Sequence, residues 1–426
     1  MWKAVQPVMP VLLGITLIEA ALGISGTLIG VQLADRGESA FLIGIVFSAY
    51  NVGFLLGTLT CERLINRVGH IRAFGVFAVS AAIATLLFAI NTNVYAWTVF
   101  KGLSGYALAG GFIVIESWLN DKATETNRGR FFAAYMIVTW GAGGLSPLAL
   151  NIADVEGDFL FKISTILLAA AMIPLALTKV GNPDIADHAD TLGIRKLIQA
   201  SPTGVICCFA SGLFTGSLYS LLPAYTEANG YGARELSILI AVGTVGALIT
   251  QFPVGYVADH YGRRPVIITA NALASLMALA IALTPGLNFT WLLVMFFALT
   301  LFQSPLYALG VGQTNDYVDR KDFVRAAAGL LFVWGVGASV GPTLVGLVME
   351  AIGESGLFLY GGVGYAFVSL FALYRVFRRR AKTPKEQSDY VAVPNIQNVY
   401  GAPELDPRGE YQHHGPSPAT KEGFVE

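Results

Sequence analysis

Charged residues are scarce in this chain of 426 residues, where they make up only 13% of the sequence. A soluble globular protein carries roughly 25% charged residues, so the composition excludes an ordinary soluble domain. The net charge of −1 leaves no basic footprint for nucleic acid. The three cysteines lie in or beside apolar runs, which excludes a disulfide framework.

Motifs that hold nucleotides or metals are also missing. The sequence has no glycine-rich phosphate-binding loop, and its polar segments are too short for an ATPase domain. ATP-driven pumping by this chain is therefore excluded. No group of cysteines and histidines has metal-ligand spacing, and no paired catalytic constellation lies in the apolar runs. We expect no cofactor, no metal and no enzymatic activity.

What the chain does contain is twelve apolar runs, which we number as spans 1 to 12. Each is long enough to cross a hydrocarbon core of about 30 Å at about 1.5 Å per residue. The spans lie near residues 8–30, 41–61, 73–91, 95–117, 129–152, 159–179, 202–226, 235–257, 266–285, 290–314, 323–349 and 355–377. This pattern predicts an all-α polytopic protein in the lipid bilayer.

Basic residues are concentrated on one side of the predicted bundle. Positive charge is retained on the cytoplasmic side during insertion. The loops after even-numbered spans hold Arg63, Arg67, Arg72, Lys122, Arg128, Arg130, Lys179, Arg195, Lys196, Arg263, Arg264, Arg320 and Lys321, whereas the other loops hold only Arg36, Lys162 and Arg234. We therefore expect a multi-pass protein of the inner (cytoplasmic) membrane with both termini in the cytoplasm.

The two halves of the chain repeat each other. Three pairs of matched positions are offset by 193, 194 and 195 residues: Gly69 with Gly262, Trp140 with Trp334, and Pro147 with Pro342. Such repeats place a substrate site at their interface near the membrane midplane. We predict two pseudosymmetric six-helix bundles at 1–180 and 201–380, a cytoplasmic linker at 181–200 and a polar, disordered tail at 381–426.

A charged turn between spans 8 and 9 resembles the loop signature of the major facilitator superfamily of transporters, G-x-x-x-D-x-x-G-R-[RK]. Every place is filled, by Gly255, Asp259, Gly262, Arg263 and Arg264. The segments 67–72, 115–120 and 127–130 resemble the YcaD-like branch of that superfamily. The resemblance implies a twelve-helix transporter that moves a small molecule by alternating access.

Asp259 is expected to act in gating. A carboxylate can cap the unpaired N–H groups at the start of a helix, and pseudosymmetry makes the start of span 5, at residues 129–131, its expected neighbour. The alternative is that Asp259 and Arg263 only pair with each other at the surface.

The copy of the loop in the first half is degenerate, because Asn66 stands in the acidic place. Arg67, Gly69 and Arg72 remain. The resemblance implies that Glu116, at the end of span 4, pairs with Arg67 or Arg72 and ties that span to the loop. The alternative is a solvated carboxylate at a helix end.

Away from the ends of the predicted spans, two residues carry a charge, Glu19 at mid-depth in span 1 and Lys101 about two turns from the outer end of span 4. A charge there costs about 2.5–3.5 kcal/mol on insertion scales and marks a functional site by default. Lys101 and Ser104 also resemble the span 4 motif R-x-x-Q-G, implicated in proton coupling. We expect Glu19, with Lys101, to couple transport to protons. The alternative is a permanent Glu19–Lys101 ion pair.

The second half offers only uncharged candidates for the substrate cavity: Tyr219, Asn271, Gln303 and Trp334. This wall suits a hydrophobic or amphipathic substrate. The sequence therefore predicts a monomeric secondary transporter whose partners are a small-molecule substrate and protons. The alternatives are a uniporter without proton coupling and a transporter-derived receptor or scaffold.

The topology can be tested with reporter fusions at Glu426 and within residues 181–199. Both should give a cytoplasmic signal, because positive charge flanks them, whereas a control fusion at Gly37 should read on the outer side. An outer-side signal from either of the first two fusions would contradict the predicted orientation.

Overall fold

The computed structural model describes residues 6–124, 128–177, 192–284 and 286–378, together with Lys382 and Gln387. Within these ranges every regular element is a helix, and twelve helical segments are long and apolar enough to cross a membrane. The predicted all-α polytopic class is therefore confirmed.

The helix bounds follow the predicted spans closely. The first half consists of Met9–Asp35, Ala40–Val68, His70–Ile90, Val94–Lys122, Arg128–Leu145 with the 3-10 helix Ser146–Asn151, and Phe159–Ala170 with Met172–Ala176. The second half consists of Pro202–Ala228, Ala233–Tyr261, Arg263–Ala282, Phe289–Gln303 with Leu306–Asn315, Phe323–Ile352, and Gly356–Arg378. These are spans 1 to 6 and 7 to 12.

A single glycine joins span 2 to span 3, and another joins span 8 to span 9. Gly69 has φ 84° and Gly262 has φ 91°, a backbone region that strains residues with a Cβ. Each glycine ends one helix and begins the next. This requirement explains why glycine recurs in both loops, and it places Arg263 at the first position of span 9.

Prolines interrupt two spans in the middle of the bundle. Span 5 changes to a 3-10 helix at Ser146, beside Pro147. Span 10 is broken between Gln303 and Leu306, around Pro305. Proline lacks the N–H that would continue the helical hydrogen-bond ladder and clashes with the preceding turn. Pro147 and Ser304, one at each break, face the space between the two halves.

The two halves pack tightly at the end of the bundle opposite Gly69 and Gly262, which we call the sealed end; the end with those two glycines is the motif end. A Cβ added to Gly44 would collide with the carbonyl oxygen of Pro342, and one added to Gly346 with that of Ala40. Spans 2 and 11 therefore touch backbone to backbone, as small residues allow in membrane helices.

Further contacts between the halves complete the sealed end. The Ser48 and Thr343 hydroxyl groups form a hydrogen bond, with their oxygens 2.8 Å apart. The Asn151 side-chain amide donates to Ser237 Oγ at 2.9 Å. A Cβ on Gly30 of span 1 would lie 2.6 Å from Pro223 Cγ of span 7. Three pairs of spans from opposite halves thus meet toward this end.

A short helix, Ile194–Ala200, packs against the start of span 11. The Leu192 N–H donates to the Arg325 carbonyl at 3.0 Å, and Leu197 is buried beside Gly329. The predicted linker is described only from Leu192 onward, and the predicted tail only at two positions, so 181–191 and most of 381–426 lie outside the described residues. The predicted domain boundaries and the disorder of the tail stay predictions.

Candidate functional site

A cavity of about 170 Å³ lies between the two halves. Seven spans line it: 1, 2, 4 and 5 from the first half, and 7, 8 and 10 from the second. The lining residues are Glu19, Leu22, Gly23, Gly26, Thr27, Phe47, Tyr50, Lys101, Thr139, Trp140, Gly143, Gly144, Pro147, Thr215, Tyr219, Ser220, Ile240, Thr244, Ala247, Thr300, Gln303 and Ser304.

Glu19 lines this cavity and is 1% exposed. It lies ten residues into span 1, close to the middle of that helix. A Cβ added to Gly143 of span 5 would come within 3.0 Å of Glu19 Oε2. The glycine therefore leaves the space that the carboxylate occupies, and a larger side chain at 143 would displace it.

Lys101 lines the same cavity and is 6% exposed. Its Nζ lies 5.3 Å from the ring centre of Phe47 and 5.1 Å from that of Tyr50. A Lys ammonium within about 6 Å of an aromatic face is attracted by the ring's negative charge distribution. Span 2 thus supplies two aromatic rings that stabilise the ammonium of Lys101 on span 4.

The carboxylate and the ammonium sit at different depths. Lys101 Nζ is 3.9 Å from a Cβ position on Gly26, and Gly26 is seven residues beyond Glu19, or about 10 Å along the helix. Among the ion pairs within 4.0 Å in the described part of the chain, none is between Glu19 and Lys101. The alternative of a permanent ion pair is therefore wrong for this conformation.

Of the four uncharged candidates, the structure brings two to the cavity. Tyr219 and Gln303 line it, and Gln303 Oε1 accepts a hydrogen bond from the Tyr365 hydroxyl. Asn271 does not, because its amide donates to the Ile267 carbonyl of its own helix at 2.7 Å. Trp334 does not either; it is buried edge-on against Tyr307, with ring centres 6.5 Å apart.

Sequence reasoning missed most of the hydroxyl and aromatic lining. The missed polar and aromatic residues are Thr27, Phe47, Tyr50, Thr139, Trp140, Thr215, Ser220, Thr244, Thr300 and Ser304. A usable signal was present, since residues four apart share one helix face. Thr215 lies one turn before Tyr219, and Thr300 lies one turn before Ser304.

The loop motif at the motif end holds a buried ion pair. Arg263 is 0% exposed, and its Nη1 donates both to the Gly312 carbonyl at 2.7 Å and to Asp316 Oδ1. Asp259 Oδ1 lies 3.9 Å from Arg263 Nη2. The alternative of a mere surface pair between Asp259 and Arg263 is therefore wrong, because the principal partner of Arg263 is an acid at the end of span 10.

The rest of the motif reinforces this attachment of span 9 to span 10. Arg264 is buried and donates to the Tyr317 hydroxyl at 2.9 Å. Gly255 is buried, and Gly262 supplies the tight turn. Sequence reasoning missed Asp316; the signal available was its place at the end of an even-numbered span, as for Glu116 in span 4. The capping of span 5 by Asp259 stays a prediction.

The degenerate copy in the first half is built differently. Arg67 and Arg72 are exposed, and the described ion pairs within 4.0 Å do not join either of them to Glu116. Instead the buried Tyr135 hydroxyl of span 5 donates to Glu116 Oε1 at 3.2 Å. Among the described residues, Glu116 is therefore not paired with Arg67 or Arg72, and it is half-buried rather than solvated.

Comparison with known proteins agrees with this architecture. The family model of the Major Facilitator Superfamily matches residues 11–202 and 204–406. An uncharacterised MFS-type transporter, YcaD of Escherichia coli (strain K12), is 29% identical over 386 residues, which cover 89% of this chain and 97% of YcaD. The predicted resemblance to the YcaD-like branch is therefore confirmed.

Solved structures share the fold. The nucleoside transporter NupG superposes with a TM-score of 0.71 at 14% identity, covering 87% of this chain and 99% of NupG. The POT family transporter PepTSo superposes with a TM-score of 0.68 at 11% identity, covering 88% and 98% of the two chains. With twelve spans, a cavity between two halves and a family match along most of its length, the chain belongs to the major facilitator superfamily of transporters.

Proposed function

We propose that this protein is a proton-coupled secondary transporter that moves a small molecule across the inner membrane by alternating access. The observation that carries the proposal is the cavity between the halves, whose described lining holds the carboxylate of Glu19 near mid-depth and the ammonium of Lys101 about 10 Å nearer the sealed end. Intramembrane charge of this kind is retained where it serves transport. The protein acts as a monomer, since one chain supplies both halves of the cavity.

Alternating access requires that the contacts between the halves separate at one end while others form at the opposite end. The sealed end is suited to such separation. Spans 2 and 11 meet there through backbone contact at Gly44 and Gly346 and through the Ser48–Thr343 hydroxyl pair, and none of these contacts is an ion pair. Neutral contacts of this kind part without exposing a buried charge. The motif end, which we assign to the cytoplasm with both termini, is the end that would close in exchange.

Proton coupling is assigned to Glu19. Burial and nearby charge decide how readily a carboxylate takes up a proton. The described groups around Glu19 include Lys101 of span 4, whose Nζ lies beside Gly26, about two turns beyond Glu19. They also include Tyr135, which interacts electrostatically with Glu19 and donates to Glu116. Movement of span 5 against span 1 would change this environment and with it the protonation of Glu19.

Replacement of Glu19 by glutamine tests the coupling. Glu19→Gln mimics the protonated state permanently, so substrate binding should persist while accumulation driven by a pH gradient is lost. The measurement is uptake into proteoliposomes with and without an imposed gradient. Glu156→Gln, at an exposed position, is the matched control and should behave as the wild type. If Glu19→Gln still concentrates substrate under the gradient, the protein is a uniporter or is coupled elsewhere.

Replacing Asp316 should reduce stability, whereas replacing Asp259 should impair gating. Asp316→Asn deprives the buried Arg263 guanidinium of its principal counterion, which we expect to lower the free energy of unfolding by about 3–5 kcal/mol. Asp259→Asn removes a partly exposed partner and should cost only about 0–1 kcal/mol. It should nevertheless slow transport and alter cross-linking between the loop and the start of span 5.

The two measurements are thermal unfolding in detergent and substrate uptake into proteoliposomes. The control is Asn66→Ala, in the degenerate loop, which should change neither. Equal destabilisation by the Asp316 and Asp259 variants would contradict the assignment of the structural role to Asp316. Unchanged uptake and cross-linking in Asp259→Asn would remove the gating role of Asp259.

A further inference from the structure

Lys101 is a buried cation that faces the cavity between the two halves. The described ion pairs and hydrogen bonds of the protein include no carboxylate partner for its Nζ, whose neighbours are the faces of Phe47 and Tyr50. An aromatic face stabilises an ammonium less than a charge-assisted hydrogen bond does. The site therefore holds a positive charge whose strongest possible interaction is left for a ligand.

The ammonium faces the cavity beside span 1. Gly26 and Lys101 both line the cavity, and a Cβ on Gly26 would lie 3.9 Å from Nζ, in van der Waals contact with it. Tyr219 lies seventeen residues into span 7, as Gly26 lies seventeen residues into span 1. Since both spans run in the same direction from the motif end, the Tyr219 hydroxyl lies at about the depth of Lys101 and can donate to an anion held there.

We infer that the substrate is a small amphipathic organic monoanion whose carboxylate binds Lys101 Nζ. This inference rests on the proposed transport function and names its substrate class. The body of the molecule would pack against Phe47, Tyr50 and Trp140, which line the same cavity. The volume of about 170 Å³ restricts the ligand to a small molecule.

The charges of the cavity argue for one negative charge and for a carboxylate. Glu19 lies about 10 Å from the level of Lys101 along span 1, so a second negative group on the substrate would approach an acid. Phosphate recognition favours the forked donors of arginine, and no arginine lines the cavity within the described residues. A dianion or a phosphate ester therefore fits this site less well than a monocarboxylate.

The test is ligand-induced thermal stabilisation of the purified full-length chain in detergent. The probes are propionate, butyrate, benzoate and phenylacetate, each beside its primary amide, with succinate and phthalate as dianions and benzylamine as a cation. Monocarboxylates should raise the unfolding temperature. Their amides, which keep the shape and lose the charge, should not, and the dianions should act more weakly than benzoate.

Variants assign the effect to Lys101. Lys101→Met should weaken monocarboxylate binding by about tenfold or more, the loss expected for one charge-assisted hydrogen bond. Lys101→Arg keeps the charge and should retain most of the binding. Lys162→Met, in an exposed pair with Asp158, is the control and should bind like the wild type. The comparison of carboxylate with amide on the wild type holds even if Lys101→Met does not fold.

Equal stabilisation by carboxylates and amides, stabilisation by benzylamine alone, or binding unaffected in a folded Lys101→Met would each overturn the inference. The proposed function fails separately. Lys101-dependent binding of a monocarboxylate without any uptake into proteoliposomes would support the anion site and contradict transport. Gradient-driven uptake of benzylamine without carboxylate binding would support transport and overturn the anion site.

Discussion

Backbone contact between spans 2 and 11 is the constraint on which the site depends. Glycine at 44 and 346 lets the two helices touch, and a Cβ at either would meet a carbonyl oxygen of the other span. This contact closes the cavity at the sealed end. It also fixes span 2, so that Phe47 and Tyr50, one and two turns deeper, lie over the ammonium of Lys101. Span 2 therefore both contacts the opposite half and supplies the aromatic rings beside Lys101.

Buried charge is used in two ways. At the motif end, Arg263 and Asp316 are in direct contact and attach span 9 to span 10, which suits an element that must stay rigid. In the cavity, Glu19 and Lys101 are held apart by about two helical turns. A contacting pair resists change because either partner alone would be an uncompensated buried charge. Because Glu19 and Lys101 are not in contact with each other, a change of conformation can alter the surroundings of one without exposing the other as an uncompensated charge.

Sequence predicted the spans, the repeat and the loop motif, because each depends on local pattern: apolar length, glycine at positive φ, and matched spacing. It predicted the cavity lining poorly, because a span that faces lipid on one side and other helices on the other is apolar all round, so its inward face is not marked. Trp140 lines the cavity whereas its repeat partner Trp334 packs on Tyr307. Arg263 and Asp316 are 53 residues apart, so their pairing depends on tertiary packing; the position of Asp316 at the end of span 10 marks the residue but does not identify its partner.

The central claim is that the halves exchange closure of one end for closure of the other. Double electron–electron resonance tests this claim with two pairs of spin labels at exposed positions. One pair is Ser39 and Glu354 at the sealed end, and the other is Asn66 and His260 at the motif end. The natural cysteines are buried and should not react with the label. Between wild type and Glu19→Gln in nanodiscs, we predict that the first distance lengthens as the second shortens. Distances that stay fixed, or that change in the same direction, would contradict alternating access.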